Sequence, residues 1–436
     1  MGDIIRKIKG TEDIMPKDVY KWQFVEDVMR QQAESFGYKE VRTPVFEQTS
    51  LFSRGVGETT DVVQKEMYTF STKGDASITL RPEGTAGAAR AFLEHGVQND
   101  GLPSKQYYLI TCYRYEKPQA GRQREFHQFG MEVFGTQNPA ADAEVICLAN
   151  GLFERLGLSN IRLEINSIGC PKCRAEYHKK LKEYFSNYKD QLCETCLGRL
   201  DRNPMRIIDC KSPICSGIAK DAPKVIDFLC DECKEHFESV KSYLDVAGVK
   251  YEVNPSIVRG LDYYTKTVFE FVSDNIGAQG TVCGGGRYDG LIEELGGQHT
   301  PSLGCAMGIE RLIITMEKQG CDFIQPSSCD LYIAPMGEKA LLKAMTIADE
   351  LRNEGFRVEY DVMGRGLKAQ MKYADKLGSA FSMVLGDNEL ENGSVKIKNM
   401  KTGEQNEIAL DNKFADRFSD ISVAGMFSDT LGNMNI

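Results

Sequence analysis

No hydrophobic run in the chain is long enough to cross a membrane. The opening residues, Met1-Gly2-Asp3-Ile4-Ile5-Arg6-Lys7, lack the apolar stretch of a secretory signal, and position 6 is Arg where N-myristoylation wants Ser or Thr. The expectation is a cytoplasmic protein with no membrane partner. There is no Walker A loop, so any nucleoside triphosphate site is of another kind. Neither His95 nor His127 has a partnered Ser or Cys motif, which sets nucleophilic catalysis by them aside and leaves structural roles. No internal repeat is visible. The net charge of -10 gives no sign of a nucleic-acid partner, but phosphate contacts need only a local basic surface. Residues 114–124 and 365–372 are the candidates, and either alone reads equally well as a solvated charged face.

At 436 residues, 42% hydrophobic and 27% charged, the chain has the size and make-up of a soluble globular protein of two or three domains. Residues 18–36 carry Val19, Trp22, Val25, Val28, Met29 and Phe36 at helical spacing, and residues 38–44 read as a strand stopped by proline. Residues 106–115 and 126–135 are aromatic-rich, strand-compatible runs joined by a Lys/Gln/Gly/Arg loop, which predicts a long hairpin with a basic tip. Residues 267–272 form another strand. Hairpins with interspersed helices point to a mostly antiparallel sheet. Residues 170–250 are Lys-, Glu- and Cys-rich and helical in texture, an insertion. After Pro326-Ser327-Ser328 the pattern changes to strand 330–335, helix 338–353, strand 356–360 and helix 367–377, a small α/β domain with parallel strands. The tail after Ala409 carries no clear signal. Gly364-Arg365-Gly366-Leu367-Lys368-Ala369 nominally fits a dinucleotide fingerprint, but no acidic residue closes the unit about twenty residues on, so NAD is not expected.

Three separated segments carry most of the chemistry: Leu80-Arg81-Pro82-Glu83-Gly84-Thr85, Cys112-Tyr113-Arg114-Tyr115-Glu116 and Val258-Arg259-Gly260-Leu261-Asp262-Tyr263-Tyr264. They supply arginines, whose fixed fork matches phosphate oxygens, and a carboxylate-plus-tyrosine set for a small polar ligand. To these add Gly10-Thr11-Glu12-Asp13, the glycine-rich run Gly284-Gly285-Gly286-Arg287-Tyr288-Asp289-Gly290, and Gly304-Cys305-Ala306-Met307-Gly308-Ile309-Glu310-Arg311-Leu312. As a set, covering roughly residues 5–410, they resemble the class II histidyl-tRNA synthetases.

The resemblance implies a class II antiparallel-sheet catalytic domain (residues 1–169 and 251–325), interrupted by the helical Cys-rich insertion (170–250) and followed by an α/β anticodon-binding domain with a C-terminal tail (330–436). It also implies a homodimer, with residues 18–44 at its interface. The implied reaction joins L-histidine to ATP with Mg2+, releases pyrophosphate, and passes histidine to the 3′ end of histidine tRNA. Arg114 and Arg259 then match positions that hold the α-phosphate, Arg311 the outer phosphates, and Arg122 assists from the hairpin loop. Glu83 and Tyr264 match positions for the imidazole nitrogens, Gln128 and Glu132 for the α-amino group, and Thr85 and Tyr263 for support. Gln119 and its loop match the part that reads the extra 5′ guanosine of the tRNA. The alternative within the same resemblance is the non-catalytic regulatory subunit of ATP phosphoribosyltransferase. That family usually loses the catalytic arginines and the anticodon domain, whereas Arg259, Arg311 and a C-terminal α/β segment are present here.

Eight of the 14 cysteines cluster in the insertion: Cys170/Cys173, Cys193/Cys196, Cys210/Cys215 and Cys230/Cys233. The first two pairs form CxxC…CxxC with a spacer in the zinc range. The expectation is at least one structural zinc held by Cys170, Cys173, Cys193 and Cys196, or by a re-pairing with the later four. Disulfides are disfavoured in a cytoplasmic setting.

Overall fold

The structure, a computed structural model, describes residues 4–57, 60–274, 280–325 and 329–432, with side chains as far as residue 423. It divides into two units, Met1–Ile324 and Gln325–Ile436. The junction expected at Pro326-Ser327-Ser328, and the last four residues of the tail, lie outside the described residues.

The first unit is built on an eight-stranded sheet. Its order is Lys39–Glu40, Ser104–Tyr113, Glu125–Phe134, Ser302–Gly308, Thr281–Arg287, Thr265–Val272, Arg162–Ser167 and Glu252–Val253. The six central strands run antiparallel, and each short edge strand is parallel to its neighbour. The hairpin expected from residues 106–135 is present as Ser104–Tyr113 and Glu125–Phe134, in register from Ser104↔Phe134 to Tyr113↔Glu125. The strand expected at 38–44 shrinks to two exposed residues.

Helix Pro16–Ser35 starts with proline in its first turn, where the missing N–H costs nothing. It buries Val25, Met29 and Ala33 completely, one apolar face at i, i+4 and i+8. That face packs with Leu148 and Leu152 of helix Pro139–Arg155 and with Phe129 and Met131 of the sheet. Truncating Met29 to Ala there costs about 2–5 kcal/mol.

Residues 170–250 are helical as expected, with helices Pro171–Ser186, Glu194–Arg202, Pro213–Ala219 and Asp231–Val246 among them. They do not form a body of their own. Tyr177, Leu181 and Phe185 share a buried cluster with Tyr108, Tyr263 and Tyr264. Phe237, Val240 and Leu244, at helical spacing, join the main core on the opposite side.

The second unit has a five-stranded sheet in the order Val358–Tyr360, Cys329–Pro335, Ser379–Leu385, Ser394–Asn399, Gln405–Ala409. The first three are mutually parallel, as the β/α alternation predicts, and helices Glu338–Asn353 and Leu367–Leu377 fall where expected. The last two strands pair antiparallel, and a helix Phe414–Gly432 occupies the tail.

Candidate active site

The site forms over the middle of the large sheet, where glycines leave room above the strands. Glu132 pairs across the sheet with Gly304, and Glu270 pairs with Gly284. Cross-strand partners project from the same face, so a side chain on either glycine would occupy the space now taken by the Glu132 carboxylate and the Arg259 guanidinium. Over this floor lies a cavity of about 220 Å3.

Segments far apart in sequence converge on it. Its lining includes Glu83, Thr85, Arg114, Arg122, Gln128, Arg259, Tyr263, Tyr264 and Arg311. Glu132 lies just beneath, bonded to Thr85. Gln119 is elsewhere: it is exposed at the hairpin tip, in a tight turn where its backbone exchanges hydrogen bonds with Arg122 at 3.0 and 2.8 Å.

Glu83 sits before helix Thr85–Glu94 and caps it, each carboxylate oxygen accepting one backbone N–H, from Thr85 and Ala86, at 2.8 Å. Burial raises its pKa, while those two donors, the Thr85 side chain and the Arg114 charge pull the other way. Gln128 accepts from the Gly84 amide at 2.9 Å. Glu132 accepts from Thr85 Oγ1 at 2.7 Å, from Tyr108 at 2.8 Å and from Tyr288. Burial nonetheless pushes its pKa up to about 8. Tyr263 packs on Tyr264 and Tyr288, with ring centroids 4.7 and 5.4 Å apart, giving the deep end an aromatic wall.

The arginines are held by backbone carbonyls and carboxylates. Arg114 Nε donates to Pro82 O at 2.8 Å, and its guanidinium lies 5.3 Å over the Phe126 ring. Arg259 pairs with Glu270, which also accepts from Thr281 Oγ1 at 2.7 Å. Arg122 pairs with Glu116 at 3.0 Å. Gly308 marks the junction of strand Ser302–Gly308 with helix Ile309–Gln319, as expected, placing Arg311 in the first turn. Arg311 donates to Gly121 O at 3.1 Å and to Thr281 O at 2.8 Å. Its pKa is lowered by burial and then by the neighbouring Arg122 and Arg114 charges. Like charges gathered this closely disfavour one another and favour an anion placed between them.

Sequence reasoning missed Tyr108 and Glu270, whose roles depend on cross-strand register rather than on local pattern. Glu116 and Tyr288 were noticed only as parts of the quoted motifs, without a role. His127, for which a structural role is expected, has its backbone N–H and Nδ1 both on Glu310, at 2.9 Å for the closest oxygen in each case. Arg287 is fully buried and paired with Asp142 at 2.8 Å, which in turn meets His236 at 3.3 Å. It therefore braces the sheet against helix Pro139–Arg155 and lies outside the cavity lining.

The cysteine quartet expected first is not gathered. Helix Pro171–Ser186 has 16 residues and a length of about 24 Å, which carries Cys193 and Cys196 away from Cys170 and Cys173. The later pairs return to complete two separate groups, Cys170/Cys173/Cys230/Cys233 and Cys193/Cys196/Cys210/Cys215.

An antiparallel sheet that presents arginines from a hairpin, a loop and a strand-to-helix junction around one cavity, with no P-loop, is the arrangement of a class II aminoacyl-tRNA synthetase. The family model described as histidyl-tRNA synthetase matches residues 10–173 and 219–312, and the model described as anticodon binding domain matches residues 330–416. The histidine–tRNA ligase of Acetivibrio thermocellus is 58% identical over 403 residues, covering 92% of this chain and 97% of the relative. That of Caldanaerobacter subterraneus subsp. tengcongensis is 55% identical with the same coverage. Among solved structures, apo histidyl-tRNA synthetase of S. aureus aligns with a TM-score of 0.82 at 40% identity, covering 95% of this chain and all of the other. The ATP phosphoribosyltransferase regulatory subunit/histidyl-tRNA synthetase of Bacillus halodurans shares the fold, at 20% identity and a TM-score of 0.62. The chain belongs to the histidyl-tRNA synthetase family.

Proposed function

We infer that the chain is a histidine–tRNA ligase: it activates L-histidine with ATP and transfers the histidyl group to the 3′ end of histidine tRNA. The observation that carries the reading is the convergence of Arg114, Arg122, Arg259 and Arg311 on one cavity beside a buried carboxylate–tyrosine pocket. The regulatory-subunit alternative has no use for such a cationic wall.

The histidine carboxylate is ionised at neutral pH, so the attack on the α-phosphate needs no strong base. The barrier lies in charge developing at phosphorus, and fixed cations oppose it directly. Arg114 and Arg259 serve the α-phosphate; Arg311, with Arg122, serves the outer phosphates. Glu116 and Glu310, both on the cavity lining, are oxygen donors of the type Mg2+ takes and would hold an ion bound with the nucleotide, where it would offset phosphate charge. Structural zinc, expected at the insertion cysteines, supplies no step of this chemistry.

For the amino acid, the sequence expectation gave the ring to Glu83 with Tyr264 and the amino group to Gln128 and Glu132. The environments favour the converse for the two carboxylates. Glu132 lies among tyrosines with its pKa pushed to about 8, which suits a neutral imidazole N–H. Burial raises the pKa of Glu83 as well, but it lines the cavity, two backbone donors and Arg114 offset part of that rise, and an ammonium group would supply the remaining countercharge, with Gln128 and Thr85 beside it. Tyr264 and Tyr263 complete the ring pocket. Histidine and imidazolepropionate, which lacks the amino group, separate the two allocations. Glu83→Gln should weaken histidine binding and abolish its preference over imidazolepropionate, while Glu132→Gln leaves that preference intact. The opposite pattern restores the first allocation.

The second unit is the anticodon-binding part, Gln119 contacts the tRNA end from the hairpin tip, and the working form is a cytoplasmic homodimer. Histidine-dependent ATP–pyrophosphate exchange, followed by charging of tRNA with each amino acid in turn, tests the whole reading. Charging with another amino acid, or no exchange by folded protein, refutes it.

A further inference from the structure

The two cysteine groups of the insertion flank the segment that carries Arg259 and Tyr264. In each group one sulfur from every cysteine lies within 4.8 Å of all the others. The Cys170–Cys173 and Cys193–Cys210 sulfurs are 3.6 and 3.9 Å apart. A tetrahedral zinc with bonds of about 2.3 Å sets its sulfurs about 3.8 Å apart, whereas a disulfide requires about 2.05 Å. An iron–sulfur cubane spreads its four thiolates over separate corners, wider than these groups allow.

The surroundings suit thiolates. Cys170, Cys193 and Cys230 stand at the N-terminal ends of helices Pro171–Ser186, Glu194–Arg202 and Asp231–Val246, where the helix dipole favours negative charge. Backbone N–H groups already point at sulfur, from Cys230 to Cys173 at 3.1 Å and from Cys193 to Cys215 at 3.2 Å.

Each group is tied to one side of the catalytic segment. Arg174, next to Cys173, donates to the Tyr264 carbonyl at 3.1 Å, and Gly169, next to Cys170, accepts from the Lys266 amide at 3.0 Å. Asn203 and Arg206, between Cys196 and Cys210, hold the other side: Asn203 donates to Asp262 at 3.2 Å and Arg206 to the Gly260 carbonyl. Without a cross-link, the short helices between Cys193 and Cys215 have few buried side chains of their own to fix Arg206 in place.

We propose that each chain binds two zinc ions, one at Cys170/Cys173/Cys230/Cys233 and one at Cys193/Cys196/Cys210/Cys215, and that together they clamp residues 259–266 in the geometry the amino-acid pocket requires. The sites are closed, four-thiolate and structural, and act on substrate only through the segment they hold. The clamping half rests on the histidine-activation reading; the metal half does not.

The full chain, purified without affinity-column metal, should carry two zinc per chain by elemental analysis. Cys173→Ser and Cys210→Ser should each lose one. Stripped protein refilled with cobalt(II) should show the sulfur-to-cobalt charge-transfer and visible bands of a tetrahedral thiolate site. One equivalent of zinc or less in folded protein, with four or more freely titratable thiols in the insertion, or iron in its place, overturns the two-site assignment. For the clamp, Cys210→Ser should raise hydrogen exchange of backbone amides in residues 257–266 and raise the histidine KM about tenfold, with the ATP KM little changed. Arg206→Ala should reproduce both effects while keeping two zinc ions. Unchanged exchange in that segment on loss of the second zinc overturns the clamp, whatever substrate the enzyme activates.

Discussion

The Thr85 hydroxyl donates to Glu132 at 2.7 Å across 47 residues of sequence. The amide of the same residue donates to Glu83 at 2.8 Å. One residue at the start of helix Thr85–Glu94 thus fixes the two buried carboxylates at the cavity relative to each other. The sheet cooperates by leaving the positions paired with Glu132 and Glu270 as glycine. Pocket shape is therefore a property of strand register as much as of the side chains that line it.

Arg259→Ala should lower histidine-dependent ATP–pyrophosphate exchange by about a hundred-fold or more, with histidine affinity within a few-fold of normal. On the proposed mechanism Arg259 acts on charge at phosphorus rather than on the amino acid. Its removal also strands Glu270 without its ion-pair partner, so Arg259→Ala with Glu270→Gln should recover stability but not exchange. Near-normal exchange in the single variant removes Arg259 from the mechanism.

Deleting residues 330–436 should weaken tRNA charging far more than adenylate formation. The cavity and all its arginines belong to the first unit, Met1–Ile324. Exchange and charging are measured on the same preparation, after sedimentation shows its folded state. A folded truncated protein that charges full-length tRNA as well as the intact chain refutes the assignment of the second unit.

Glu132 predicts a pH dependence of stability. Burial, opposed by the Tyr288, Thr85 and Tyr108 hydroxyls, raises its pKa from 4.5 to about 8. Between these values the folded state keeps a proton that the unfolded chain has lost. Stability therefore falls as pH rises through that window, at no more than about 1.4 kcal/mol per unit from this group, and the fall ends above the folded value. Glu132→Gln cannot ionise and lacks the dependence. The Tm difference, variant minus wild type, should be more positive at pH 8 than at pH 5.5. A gap that does not change with pH means the carboxylate is not perturbed.

Where structure follows from local rules, the sequence was readable. Helices Glu338–Asn353 and Leu367–Leu377 announce themselves by apolar period and flanking glycines, and the Ser104–Phe134 hairpin by aromatic runs about a basic loop. Gly308 before Glu310-Arg311 located the strand-to-helix junction. The tail helix Phe414–Gly432 was missed because its burial is set by the neighbouring sheet, with Phe418 packing on Phe356 and Phe381. The Arg287–Asp142 pair joins residues 145 apart, and the cysteine grouping depends on the path of a whole helix. Register, partner choice and pairing are tertiary quantities, which spacing alone leaves open.

Gly284 and Gly285 are adjacent and look interchangeable in sequence, but they should fail differently when replaced by alanine. A methyl group on Gly284 would meet the Arg259 guanidinium closer than 3.0 Å, and that group is the far end of a flexible side chain. It can be displaced without opening the sheet, though this loosens its pair with Glu270, so Gly284→Ala should fold with a smaller loss of Tm than Gly285→Ala while losing most exchange activity, as expected for Arg259→Ala. A methyl on Gly285 would meet the Gly304 carbonyl and the Phe269 ring, which belong to adjoining strands and cannot retreat without opening the sheet. Gly285→Ala should therefore cost stability first, about 1–3 kcal/mol or more, seen as a lowered Tm and poor yield of folded protein. Thermal melts and exchange assays on both variants decide it. Equal loss of Tm in the two, or full activity in folded Gly284→Ala, would show that Gly284 does not hold the space Arg259 occupies.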